Sequence, residues 1–103
     1  MSTKVPLKLV TIVTEGLLKD EMGSLLEKMG ATGFTITRCE GGGSDGVRAQ
    51  DWEGPNQRFE CIVSEEMADA ILDEVGRVYF KDYAVIAWLT DVAVMRGEKF
   101  SDD

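Results

Sequence analysis

Residues 7–40, LKLVTIVTEGLLKDEMGSLLEKMGATGFTITRCE, change hydrophobic period twice within one stretch. Residues 7–15 are β-branched and almost continuously apolar, the pattern of a central strand buried on both faces. From Leu17 the period lengthens to that of a helix. Leu18, Met22, Leu25, Leu26 and Met29 make one apolar stripe, while Lys19, Asp20, Glu27 and Lys28 face water. Gly30 stands where a C-cap is needed. Residues 33–40 return to strand alternation, with Phe34, Ile36 and Arg38 on one side and Thr35, Thr37 and Cys39 on the other.

The second half repeats this order. Residues 58–64, RFECIVS, alternate with Phe59, Cys61 and Val63 on one face. Ser64 is an N-cap candidate, followed by Glu65 and Glu66 where a helix dipole favours acids. Met67, Ala70, Ile71, Val75 and Val78 form the expected stripe of a helix ending near residues 79–82. Residues 84–96 read as a long last strand, with Thr90-Asp91 as a point where it could divide in two. The order β-α-β, loop, β-α-β predicts an α+β, ferredoxin-like fold: one antiparallel four-stranded sheet with both helices on one face. Trp88, Val92 and Val94 alternate with Ala87, Leu89 and Met95, so both sides of the last strand are apolar. The second sheet face therefore calls for cover, most simply by symmetric copies of the same chain.

Composition narrows the function classes. The 103 residues fit a single domain, 1–103, with a polar tail over 97–103, and 44% hydrophobic with 29% charged residues is ordinary globular usage. A net charge of -8 disfavours nucleic acid and anionic lipid, so any anionic ligand must be held by local arginines and backbone N–H groups. There is no histidine, which removes imidazole base catalysis and histidine metal sites. Cys39 and Cys61 share no metal-ligand spacing and read as reduced thiols of a cytoplasmic protein, a redox pair only if neighbouring strands bring them close. No apolar run reaches transmembrane length, and Met1-Ser2-Thr3-Lys4 leads directly into a strand, so no membrane insertion is expected.

Between the halves lies GGGSDGVRAQDWEGPN, residues 41–56, which holds five of the eleven glycines. A loop of this length in a compact domain is usually functional. Successive N–H groups in such a run can form an anion nest, to which Arg48 adds a bidentate cation. Trp52 has the character of a residue that packs on a partner or ligand ring. No Walker phosphate loop and no glycine-flanked serine elbow occur. Glu15, Glu40 and Glu60, read as strand-end carboxylates, leave a small nucleotide hydrolase as the enzymatic alternative. Arg96 is a second candidate cation.

Taken together, VTIVTE (10–15), EKMGATGFTI (27–36), GGGSDGVR (41–48), RFECIVS (58–64) and YFKDYAVIAWLTDVAVMRGEKF (79–100) resemble the PII-like signalling proteins. The likeness is to the SbtB-like branch associated with carboxysomes and bicarbonate transport. It implies a non-catalytic homotrimer that binds adenine nucleotide in clefts between subunits, with a T-loop over about 41–57 addressing a protein partner. Carried over by position, the resemblance places Thr14 and Glu15 at the cleft border. Gly33, Phe34 and Thr35 fall beside the adenosine. Gly43, Ser44, Val47 and Arg48 fall on phosphate or ribose. Glu60, Tyr83, Ala84 and Val85 fall at the base pocket, and Arg96 reaches in from the last strand. Asp45-Gly46 stands where related proteins carry a further basic residue, so AMP, ADP or cyclic AMP is expected over ATP. The branch also implies bicarbonate as a second ligand, and no metal. The implied partner is a bicarbonate transporter or a carboxysome component, met in the cytoplasm, at the carboxysome, or at an inner-membrane transporter. A CutA-like trimer, handling metal or serving as a structural adaptor, shares the architecture but is disfavoured by the missing histidines.

Overall fold

The computed structural model describes residues 3–31, 33–41 and 55–96. Strand β1 (Lys4–Thr14) leads through a 3-10 turn (Gly16–Leu18) into helix α1 (Lys19–Lys28). Then come β2 (Thr35–Cys39), β3 (Asn56–Val63), α2 (Glu65–Tyr79) and β4 (Ile86–Met95). The sheet order is β2-β3-β1-β4 with every pairing antiparallel, which is the expected ferredoxin-like arrangement. The strand richest in β-branched apolar residues takes a central place, as its composition requires.

Register assigns each side chain to a face. Val10 pairs with Cys61 and with Leu89, and Ile12 with Phe59 and with Ala87. Val10, Ile12, Phe59 and Cys61 meet Leu18, Met22 and Leu26, and Ala68, Ile71, Val75 and Tyr79 from the helices, in one buried core, with Ala87 packed at its margin and Leu89 still 37% exposed. Side chains of this size each stabilise the fold by about 1.5–3 kcal/mol when fully buried. The opposite face carries Val5, Leu7, Leu9, Val13, Ile62, Ile86, Trp88, Val92 and Val94. Ile86 is 60% exposed and Trp88 43% exposed there, so the subunit alone leaves this face open.

Several local expectations are revised. The first helix opens with a 3-10 turn because no side chain caps it: Glu15 is extended and makes no cap hydrogen bond. At its other end Gly30 takes φ +94°, a conformation that glycine adopts without strain. In α2 the buried stripe is Ala68, Ile71, Val75 and Tyr79, and Ala70 faces water. Met67 and Val78 flank the core, so the stripe is rotated by about one residue from the expected one. β4, by contrast, is the single long strand expected and runs unbroken through Thr90-Asp91, because β1 pairs with it continuously from Lys4↔Met95 to Val13↔Ile86. β3 begins at Asn56, where pairing with Cys39 draws two further residues out of the expected loop. Cys39 and Cys61 lie on adjacent strands but on opposite faces, and Cys39 pairs with Asn56, five residues from Cys61. About 17 Å along the strand and opposed side chains rule out a bridge between them.

The Ser64 hydroxyl accepts a hydrogen bond from the Met67 N–H at 3.2 Å, fixing the start of α2 as its sequence position indicates. Ser64→Ala is expected to lower stability by about 1 kcal/mol in chemical denaturation at fixed protein concentration. Ser64→Asp, which retains a capping oxygen, is expected to restore most of it.

Candidate functional site

The candidate residues fall into separate groups within one subunit. The first group gathers where β1 ends. Thr14 and Glu15 are buried, at 0% and 2% exposure. The Thr14 hydroxyl donates to the Glu15 carbonyl at 2.9 Å. Glu15 Oε2 accepts from the Ala84 N–H at 2.8 Å, while Oε1 has no hydrogen-bond partner among the described residues. The 83–85 turn is further held by Tyr83 N–H on the Tyr79 carbonyl and Val85 N–H on the Tyr83 carbonyl, each at 3.0 Å. Tyr79 and Tyr83 meet edge to face at 5.9 Å. Glu15 thus ties the end of β1 to the turn that launches β4.

A second group lies within the open sheet face. Thr35 pairs with Glu60, and Glu60 with Thr11, whose partner on the other side is Trp88. Arg58 Nε stands 3.7 Å from Glu60 Oε1, an ion pair too long for a hydrogen bond. Thr35, Thr37, Arg58, Glu60 and Thr11 form a polar group that runs from the β2 edge inward and adjoins Val13, Ile62 and Trp88. Gly33 and Phe34 lead into it, but the Phe34 ring turns to the helix side and packs on Phe59 at 5.9 Å. Only the main chain at Phe34 is therefore free to border a cleft on the open face.

Arg96 follows β4 with φ 62° at the end where Met95 pairs with Lys4. Glu15 lies about 35 Å away along β1, so one subunit cannot bring these two residues to one ligand. Gly43, Ser44, Val47 and Arg48 lie outside the described residues. Within one subunit the three carboxylates named for the enzymatic alternative do not cluster. Glu15 is committed to Ala84, Glu40 is exposed just beyond β2, and Glu60 sits inside β3 rather than at its end. Among the described residues, no group of three His, Cys, Asp or Glu side chains is placed to hold a metal ion. Burial pushes the Cys61 thiol up to about 11, which makes it a poor nucleophile.

One feature escaped the sequence reading. On the helix side, Gly16, Lys19, Ile36, Arg38, Pro55 and Gln57 line a cleft of about 490 Å³. The available signal was Arg38, a charge that alternates in phase with Phe34 and Ile36.

The sequence profile described as "Nitrogen regulatory protein P-II" matches residues 7–99. The chain belongs to the P-II family. Among solved structures, it is similar to a PII-like signalling protein of Thermus thermophilus, with 52% identity over 95% of this chain and 98% of that one, and a TM-score of 0.82. It is also similar to CPII of Thiomonas intermedia bound to ADP, AMP and acetate, with 25% identity, coverage of 97% and 99%, and a TM-score of 0.81. CPII bound to ADP and bicarbonate matches with 26% identity, coverage of 95% and 97%, and a TM-score of 0.80. As a P-II family member the chain is a PII-like regulatory protein. Among its described residues, no helix is long and apolar enough to cross a membrane.

The Glu15–Ala84 tie gives a direct test of the local geometry. Glu15→Ala removes the acceptor of a part-buried N–H and is expected to cost about 1–3 kcal/mol in denaturant unfolding. Glu15→Gln keeps an oxygen for that N–H and is expected to cost less.

Proposed function

We propose that this protein is a non-catalytic adenine-nucleotide sensor that works as a homotrimer and passes the signal to a protein partner. The observation that carries the reading is the polar group of Thr35, Arg58 and Glu60 on a largely apolar sheet face where Ile86 and Trp88 stand exposed. Self-association through the apolar residues would enclose that group between subunits. It would also unite groups that one subunit keeps apart, with Thr14, Glu15 and the 83–85 turn of one copy facing Thr35 and Glu60 of the next. The expected loop residues Gly43, Ser44, Val47 and Arg48 then supply backbone N–H groups and a guanidinium for phosphate, and Arg96 a second cation. Gly33 and the main chain of Phe34 border the nucleoside.

The ligands of CPII support the choice of nucleotide and of a small second anion. That protein is bound to ADP and AMP with bicarbonate or acetate. We assign AMP or ADP to this chain ahead of ATP, with cyclic AMP as a further candidate, because Asp45 adds negative charge beside Ser44 and Arg48. Bicarbonate is assigned as the second ligand. The T-loop then serves a cytoplasmic partner in inorganic-carbon handling, a bicarbonate transporter or a carboxysome component. The energy needed is modest, since a ligand that binds one loop state a few kcal/mol better shifts the population decisively.

Titration calorimetry with AMP, ADP, ATP and cyclic AMP, with and without bicarbonate, tests the reading. Micromolar binding of AMP or ADP near one site per subunit is expected, and absence of heat with all four would overturn it. Arg48→Ala is expected to lose at least tenfold in nucleotide affinity while retaining the wild-type assembly. The assembly has its own check. Light scattering should give three times the 11.3 kDa chain mass for the wild type. Trp88→Glu, which puts a charge on the open face, should shift it toward monomer.

A further inference from the structure

We propose that the helix-side cleft is an anion-binding site that takes a carboxylate or phosphate group carried on a short apolar body. The cleft lies on the sheet face opposite Thr35 and Glu60, because Ile36 pairs with the core residue Phe59 and Arg38 shares its side of β2. It is therefore separate from the nucleotide cleft proposed above and does not depend on it. It has a volume of about 490 Å³ and opens broadly to solvent, so it suits a ligand held at the surface rather than engulfed.

The lining is chemically selective. Lys19 comes from the start of α1 and Arg38 from β2, so two cations converge from different elements. Neither has an ion-pair partner among the described residues. Lys8 and Arg77, by contrast, donate hydrogen bonds to the Asp91 and Glu74 carboxylates respectively, and Arg58 sits beside Glu60. Among the described residues, no carboxylate lines the cleft. In a chain of net charge -8, two cations that line one cavity and have no ion-pair partner among the described residues favour an anion there. The guanidinium fork can grip an oxyanion through two N–H groups, the ammonium adds a point charge, and the Gln57 amide offers a further donor.

The remaining walls set the other half of the ligand. Ile36 is 37% exposed and Pro55 half-buried, giving an apolar patch beside the cations. Gly16 presents no side chain, which leaves main chain open on that side. A bare inorganic anion would leave Ile36 and Pro55 uncovered, whereas an anion with a small apolar body covers them. The cleft is thus suited to an amphipathic small anion.

The test is an NMR titration of the full chain with benzoate and with phenyl phosphate, reading the Gly16 amide, the Arg38 Nε–H and the Gln57 side-chain amide. Saturable shifts at these groups are expected with at least one probe, and the probe that binds tighter identifies the head group. Arg38→Gln and Lys19→Gln should each weaken binding fivefold or more. Both residues are exposed, so folding should survive, and the unperturbed core resonances would verify it. Any of four results would overturn the proposal: no shift with either probe, shifts that survive both substitutions, equal binding of uncharged benzamide, or displacement of the probes by AMP.

Discussion

β1 is paired along both edges, with β3 from Lys8 to Thr14 and with β4 from Lys4 to Val13, and it presents apolar side chains to both faces. Every other element is placed relative to it. Val10 and Ile12 project into the space that the helices fill, which fixes where α1 and α2 must lie. Leu9 and Val13 project the other way and, with their neighbours on β4, create a surface that water covers poorly. A one-residue slip in either pairing would exchange these two sets, so burial of the helix side sets the register of the whole sheet.

The same strand connects fold to site. Its end delivers Glu15 to the Ala84 N–H, so the base of the 83–85 turn is set by where β1 stops. Its middle residue Thr11 stands between Glu60 and Trp88, joining the polar group to the apolar side chains beside it. Thr35 and Glu60, for which nucleotide contact is proposed, are thus positioned by hydrogen-bonded strands rather than by loops. The role proposed for the loop residues is to add charge to that frame.

Most of the architecture was legible because each element carries its own period. The alternation of Phe59, Cys61 and Val63, the stripe of Leu18, Met22 and Leu26, and the Ser64 cap all hold as local chemistry predicts. Errors came where a tertiary partner decided the outcome. Ala68 rather than Ala70 faces the core because sheet packing, not composition, sets the rotation of α2. Glu60 read as a strand-end carboxylate, yet β3 extends around it because Asn56 and Gln57 pair with β2. For the site, residue types were legible but separations were not. Nothing in the spacing of Glu15 and Arg96 reveals that they lie at opposite ends of a sheet.

The alternation along β1 also divides the chain's tolerance to mutation into two channels. Changes at Val10 or Ile12 act on a single chain and degrade folding whatever the protein concentration. Changes at Leu9 or Val13 leave that interior intact and, under the proposed self-association, act where copies meet, so their effect would depend on protein concentration. Neighbouring positions in one short segment are thereby held by different constraints, one within the chain and, under the proposed assembly, one between copies.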